Sequence, residues 1–137
     1  MRISRLLLSG AAAGTIAGTG LADLNRSHVF NPGWPPHARF HSMAGWGSIA
    51  ASQLLSLWLL WRSGEDTGEG ETAIKIAALL PAIAWAPFFL ALATPGTAVE
   101  DEPGHLARIA GVPLNLVPAT LIPLISAVGY TLHRCGQ

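Results

Sequence analysis

Charge is what this sequence is shortest of. Only 12% of its residues are Asp, Glu, Lys or Arg, about half the 25% usual for a soluble domain. Eight basic and eight acidic side chains cancel, so no surplus of positive charge is left to meet a nucleic acid. There is a single cysteine, Cys135, which excludes a disulfide within the chain and any Cys-based zinc knuckle. No nucleotide-binding motif is present, so nothing calls for a soluble nucleotide co-substrate. What remains is 137 residues, half of them hydrophobic, the length of one domain.

The hydrophobic residues fall into four runs, 3–22, 42–61, 72–94 and 111–132. The second and fourth carry no charge, and the third carries only Lys75. About 20 residues of helix, at about 1.5 Å each, span a hydrocarbon layer of about 30 Å. The expectation is therefore an all-α, integral membrane four-helix bundle, a single multi-pass domain in the cell membrane. The first run has a rival reading. Arg2 and Arg5 ahead of it, and Gly20-Leu21-Ala22 at its end, also suit a cleaved signal. Gly10, Gly14 and Gly18 recur at helical spacing and favour a helix that stays and packs.

Positive residues favour the cytoplasmic side. With the N-terminus inside, Arg2, Arg5, Arg62, Lys75 and Arg134 lie inside, and Arg26, Arg39 and Arg108 outside. The acidic, glycine-rich stretch 62–71 then reads as a solvated inner turn. The small-residue stripes, Gly10/Gly14/Gly18 and Ala44/Ser48/Ser52/Ser56, predict close helix contacts within one subunit or at a homo-oligomer seam. Pro81, Pro87, Pro113, Pro118 and Pro123 predict kinks in helices 3 and 4. Trp34 and Trp61 suit interface anchors. Trp46 and Trp85 sit deeper, as core filling or as a pocket lining.

The polar residues concentrate between the first two runs. Residues 23–41 hold Asp23, Arg26, His28, His37, Arg39 and His41 among three prolines. Helix parity puts these histidines and His105 on one side of the bundle, and His133 on the other. His37 and His41 are one helical turn apart, so a helix starting near Pro36 would present both on one face. From the opposite loop, Glu100, Asp101, Glu102 and His105 could face them. Three chemistries fit. Imidazoles from His28, His37 and His41, with a carboxylate, could close a metal site. One axial imidazole with arginines for the propionates could hold a haem. A histidine and a carboxylate such as Asp23 could work as a metal-free acid/base pair. The bland alternative is that these groups meet headgroups or cap helices, and that Gln53 and Asn115 bond across helices. Against it stands the expense of ionisable groups near a membrane core.

Ala38-Arg39-Phe40-His41-Ser42 resembles the Ala-Arg-x-His-Ser stretch of the styrene oxide isomerase family, small four-helix membrane proteins with that histidine at the start of helix 2. The resemblance implies a homotrimer with haem b between subunits and His41 as the axial ligand. Ferric haem would then act as a Lewis acid on an epoxide oxygen. The chain departs from that pattern at Gly47, where the family places an asparagine. Asn115 or Gln53 could supply the missing amide. A second resemblance, to sterol-isomerase-like four-helix proteins, rests on the Asp23-Leu24 pair and implies carboxylate chemistry without metal.

The resulting expectation is a membrane enzyme that isomerises a small lipophilic, epoxide-like substrate using haem b or a divalent metal. His41 binds the cofactor, Arg39 pairs with a propionate or holds a polar group, and Asp23 and His37 orient or shuttle protons. The alternatives are a metal-free acid/base isomerase and a non-catalytic membrane subunit or small metal transporter. The partners expected are the lipid bilayer, a lipophilic small molecule and further copies of the chain.

Overall fold

In the computed structural model, which describes residues 3–62, 68–100 and 106–136, four helices follow one another: α1 (Ile3–Asp23), α2 (Pro36–Arg62), α3 (Gly68–Ala93) and α4 (Leu116–Arg134). Each packs against its neighbours in a closed ring, α1 against α2 and α4, and α3 against the same two. One end of the bundle therefore gathers the end of α1 and the start of α2. The other gathers the start of α3 and the end of α4.

The buried residues of α1, Ser4, Leu8, Ala11, Ala12, Thr15 and Thr19, recur every three or four positions and so form one inward stripe. Leu8 joins Leu60, Ile74, Ala77 and Ala78 in one apolar cluster. Ala11 joins Trp85, Ala119 and Ile122 in a second. Trp85 lies at the centre, and its Nε1 donates to Thr15 Oγ1 at 3.1 Å. The outward faces are apolar as well: Leu54, Ile83, Leu90, Leu124 and Val128 are all more than half exposed. α2, α3 and α4 are each long and apolar enough to cross a membrane.

Prolines shape α3 and α4 less uniformly than their number suggests. Pro81, Pro87 and Pro123 lie inside helices. Pro118 sits in the first turn of α4, where a missing N–H removes no bond. Pro113 is outside α4 altogether, in a two-residue strand, β2 (Val112–Pro113), paired with β1 (Arg108–Ile109). The turn between them places Ala110 and Gly111 at φ 50° and 82°, the two positive values of a type I′ turn. This hairpin delays α4 to Leu116, so the expected helix start at 111 is corrected. At Pro81 the carbonyl of Ala77 loses its helical donor. Ser56 Oγ of α2 donates to that oxygen at 2.8 Å, and Gln53 Nε2 reaches the nearby Leu80 carbonyl at 3.3 Å.

The small-residue stripes are only partly packing surfaces. A Cβ at Gly10 would meet nothing within 4 Å, while at Gly14 and Gly18 it would just touch Ile122 and Trp85. The tightest approach is instead at Gly129, where a Cβ would lie 3.0 Å from Leu8 Cγ. On α2, Ser56 is buried, whereas Ala44 and Ser48 are exposed.

Candidate functional site

α1 closes with its last carbonyls bound by a side chain. Asn25 Nδ2 donates to Leu21 O at 3.0 Å and to Ala22 O at 2.6 Å. Its Oδ1 accepts the Ser27 amide at 2.8 Å, so one residue both ends the helix and turns the chain. A second Asx turn follows, with Asn31 Oδ1 accepting the Gly33 amide at 2.9 Å. α2 then opens on Pro36, as the Pro35-Pro36 pair predicts.

The opening turns of α2 bring His37 and His41 together. Their Nε2 atoms are 3.0 Å apart, with ring planes at 89° and centroids 4.4 Å apart. Phe40 stacks on His37 at 6.5 Å and meets His41 edge-on at 5.6 Å. Both imidazoles are exposed. As a hydrogen bond, this contact needs one ring as donor and the other as acceptor, so the neutral pair shares one proton between the facing nitrogens. The same convergence suits a cation, because an imidazole binds zinc at about 2.0–2.1 Å and both nitrogens lie within reach of a single ion. The pair supplies two protein ligands, fewer than a structural or catalytic zinc site uses, whereas a haem needs only one axial imidazole. The donor set fits either group as a partial shell. Arg39, half-buried, follows on the same turn.

His28 does not join them. Its Nδ1 lies 3.0 Å from Ser27 Oγ and 3.4 Å from Asn25 Oδ1, and its ring meets the edge of Trp34 at 5.3 Å. Among the described residues no group of three His, Cys, Asp or Glu side chains is placed to hold a metal ion. The expected His28–His37–His41 triad is thus divided, because His28 is held by its own turn. Asp23 does sense His28. Half-burial pushes its carboxyl above the ordinary range, and the charge of His28 partly offsets this. From the other loop, Glu100 accepts from Arg108 Nη2 and from the Leu106 amide. It therefore holds its own loop. Asp101, Glu102 and His105 lie outside the described residues. Asn115 Nδ2 donates to Val99 O at 3.0 Å, leaving its Oδ1 and the Trp46 Nε1 buried without a partner among the described residues. Gln53 is fully buried, and its Nε2 is engaged by Ser52 and Leu80.

The opposite end holds a polar cluster that sequence reasoning missed. Glu71 Oε1 accepts from Tyr130 Oη at 3.1 Å and from Arg134 Nη1 at 3.0 Å. Glu71 Oε2 lies 2.9 Å from His133 Nε2. His133 is 8% exposed, so of the two roles open to it, meeting headgroups or ending a helix, it takes the second, in the last turn of α4. Glu71 is in the first turn of α3, and His133 and Arg134 are in the last turn of α4. Those are the ends where each sign of charge is favoured by the helix dipole. An acidic helix start facing a basic helix end was the available signal.

Residues 7–136 match the model of a family of unknown function (DUF6640), and the chain belongs to that family. No curated protein and no solved structure matches it.

Proposed function

We propose that the chain is a multi-pass protein of the cell membrane, that its His37–His41 pair binds haem or a divalent metal at the rim of the bundle, and that it isomerises a small lipophilic, epoxide-like substrate. Membrane insertion is supported by three spans of sufficient length and apolarity and by the apolar outward faces. One observation carries the site: two exposed imidazoles with Nε2 atoms 3.0 Å apart at the mouth of an apolar bundle. The stretch Ala38–Ser42 supports His41 as the haem ligand, with Arg39 on the same turn to pair with a propionate. When bound, such a centre supplies a Lewis acid to an epoxide oxygen. An apolar substrate reaches the rim by partitioning into the bilayer. His37 holds a proton beside His41, and Asp23 serves as a further proton carrier. Further copies of the chain are expected to complete the site in a homo-oligomer.

The test is the visible spectrum and metal content of the protein purified in detergent. Haem gives a Soret band that His41→Ala removes, and a divalent ion gives bound metal that the same variant releases. A colourless, metal-free protein sinks the cofactor reading. A second reading, metal-free acid/base isomerisation, is favoured by the raised pKa of Asp23 beside His28. It expects a colourless enzyme whose activity is lost in Asp23→Asn and kept in His41→Ala. A protein inactive on lipophilic epoxides and alkenes alike points instead to the non-catalytic subunit or transporter.

A further inference from the structure

The seam between α3 and α4 holds a groove of about 230 Å³. It exists because its walls are short: Ala78 and Ala82 on α3 face Pro123 and Ala127 on α4. Lys75 and Tyr130 lie at its mouth and Ala82 and Pro123 at its far end, as the antiparallel helices require. From Lys75 to Ala82 the axis advances roughly 10 Å.

Two polar groups in this seam have no hydrogen-bond or ion-pair partner among the described residues. Lys75 is the only charge in the apolar run 72–94, is exposed, and pairs with no carboxylate among the described residues. Glu71, one turn away, is occupied by Tyr130, His133 and Arg134. Ser126 also lines the groove. It is 1% exposed, and its hydroxyl has no partner among the described residues. Ser4 Oγ on α1 is likewise buried without a partner among the described residues, but it does not line this groove; other helix hydroxyls are engaged. Thr15, Thr19 and Ser48 bond back to their own helices, and Ser56 bonds across to α3. A buried hydroxyl left without a partner is unfavourable, and one that also lines a groove is placed to meet a ligand.

We propose that this groove binds an anionic phospholipid of the surrounding bilayer. One acyl chain lies between the alanines and Pro123. The phosphate meets the Lys75 ammonium, and the Ser126 hydroxyl donates to an ester carbonyl one turn deeper. A cation above an apolar slot matches the polarity of such a lipid, and basic sites between helices on the cytoplasmic side attract anionic headgroups. The inference rests on membrane insertion but not on the rim histidines.

The experiment first extracts membranes carrying the protein with alkaline carbonate. A chain released there overturns the membrane reading itself. The chain that stays is purified in mild detergent, exposed to equal phosphatidylglycerol and phosphatidylcholine, and its retained lipid is read by native mass spectrometry. Phosphatidylglycerol is expected to be preferred, and Lys75→Gln to reduce the preference by about fivefold. Lys75→Arg should keep it, and Ala82→Leu, which fills the slot, should release both lipids. Arg62→Gln, a cation of the same end outside the groove, should change nothing. Equal retention of the two lipids by the native chain overturns the proposal. So does an Arg62→Gln loss equal to that of Lys75→Gln, or an Ala82→Leu protein that still holds the lipid.

Discussion

The two ends of the bundle spend their histidines differently. At one end, His37 and His41 meet within a single helix, and His28 bonds inside its own turn. No helix is fastened to another by these contacts. At the other end, Glu71 of α3 is met by Tyr130, His133 and Arg134 of α4, 59 to 63 residues further along the chain. That cluster is a clasp between elements. Titratable groups bonded across elements serve the fold, whereas groups that bond only locally and face outward are free to serve a ligand.

The sharpest way to break this contrast is a crossed pair of variants. His41→Ala is expected to abolish bound haem or metal while leaving the unfolding midpoint in place. Glu71→Ala is expected to lower the midpoint by several degrees while leaving the bound centre intact. Absorbance, metal analysis and thermal unfolding in detergent read both, and the opposite pattern would falsify the assignment of roles.

A smaller effect compares packing at the two ends. Gly129→Ala puts a methyl 3.0 Å from the fully buried Leu8. Overpacking costs about 1–3 kcal/mol, against a propensity gain of about 1 kcal/mol, so the variant should lose up to about 2 kcal/mol. Gly20→Ala meets the Trp46 indole at 3.2 Å, but that ring is only half-buried and can yield. Its stability should stay near the native value. Gly10→Ala meets nothing and should gain up to about 1 kcal/mol. Denaturation curves that rank these three in another order mean that the ends do not differ in packing.

The smallest effect is a pH dependence at the rim. The folded-state pKa of Asp23 is raised by burial above the ordinary 3.8. Between the two values the unfolded chain binds fewer protons than the folded one, so stability falls as pH rises through that window and is level above it. Asp23→Asn should remove this fall. Midpoints measured from acid to neutral pH should be flatter in the variant, and an unchanged slope assigns the dependence to another group.

The four helices were legible because apolar runs of bilayer length announce themselves, and the start of α2 at Pro36 followed from where proline is tolerated. The His37–His41 contact was legible for the same local reason, since one helical turn fixes two side chains on one face. What lay between distant segments was hidden. Ala110-Gly111 bends the chain into a hairpin that apolarity alone reads as more helix. His28 and Asn25 are near neighbours in sequence, yet their turn chemistry decided that His28 stays away from α2. For the Glu71–His133 bond, helix parity brings the acidic start of α3 and the basic end of α4 to one side, but no spacing in the sequence fixes which side chains meet there. Glycine spacing on α1 likewise pointed to Gly10, whereas the close crossing is made by Gly129.

The Ser56 hydroxyl on the Ala77 carbonyl also limits how the molecule can move. A slip of α2 along α3, even by one residue, would strip that buried oxygen of its replacement donor, at a cost comparable to a lost hydrogen bond. This seam is therefore pinned in register. Any sliding of one helix past another must be borne by helix pairs that carry no such bolt.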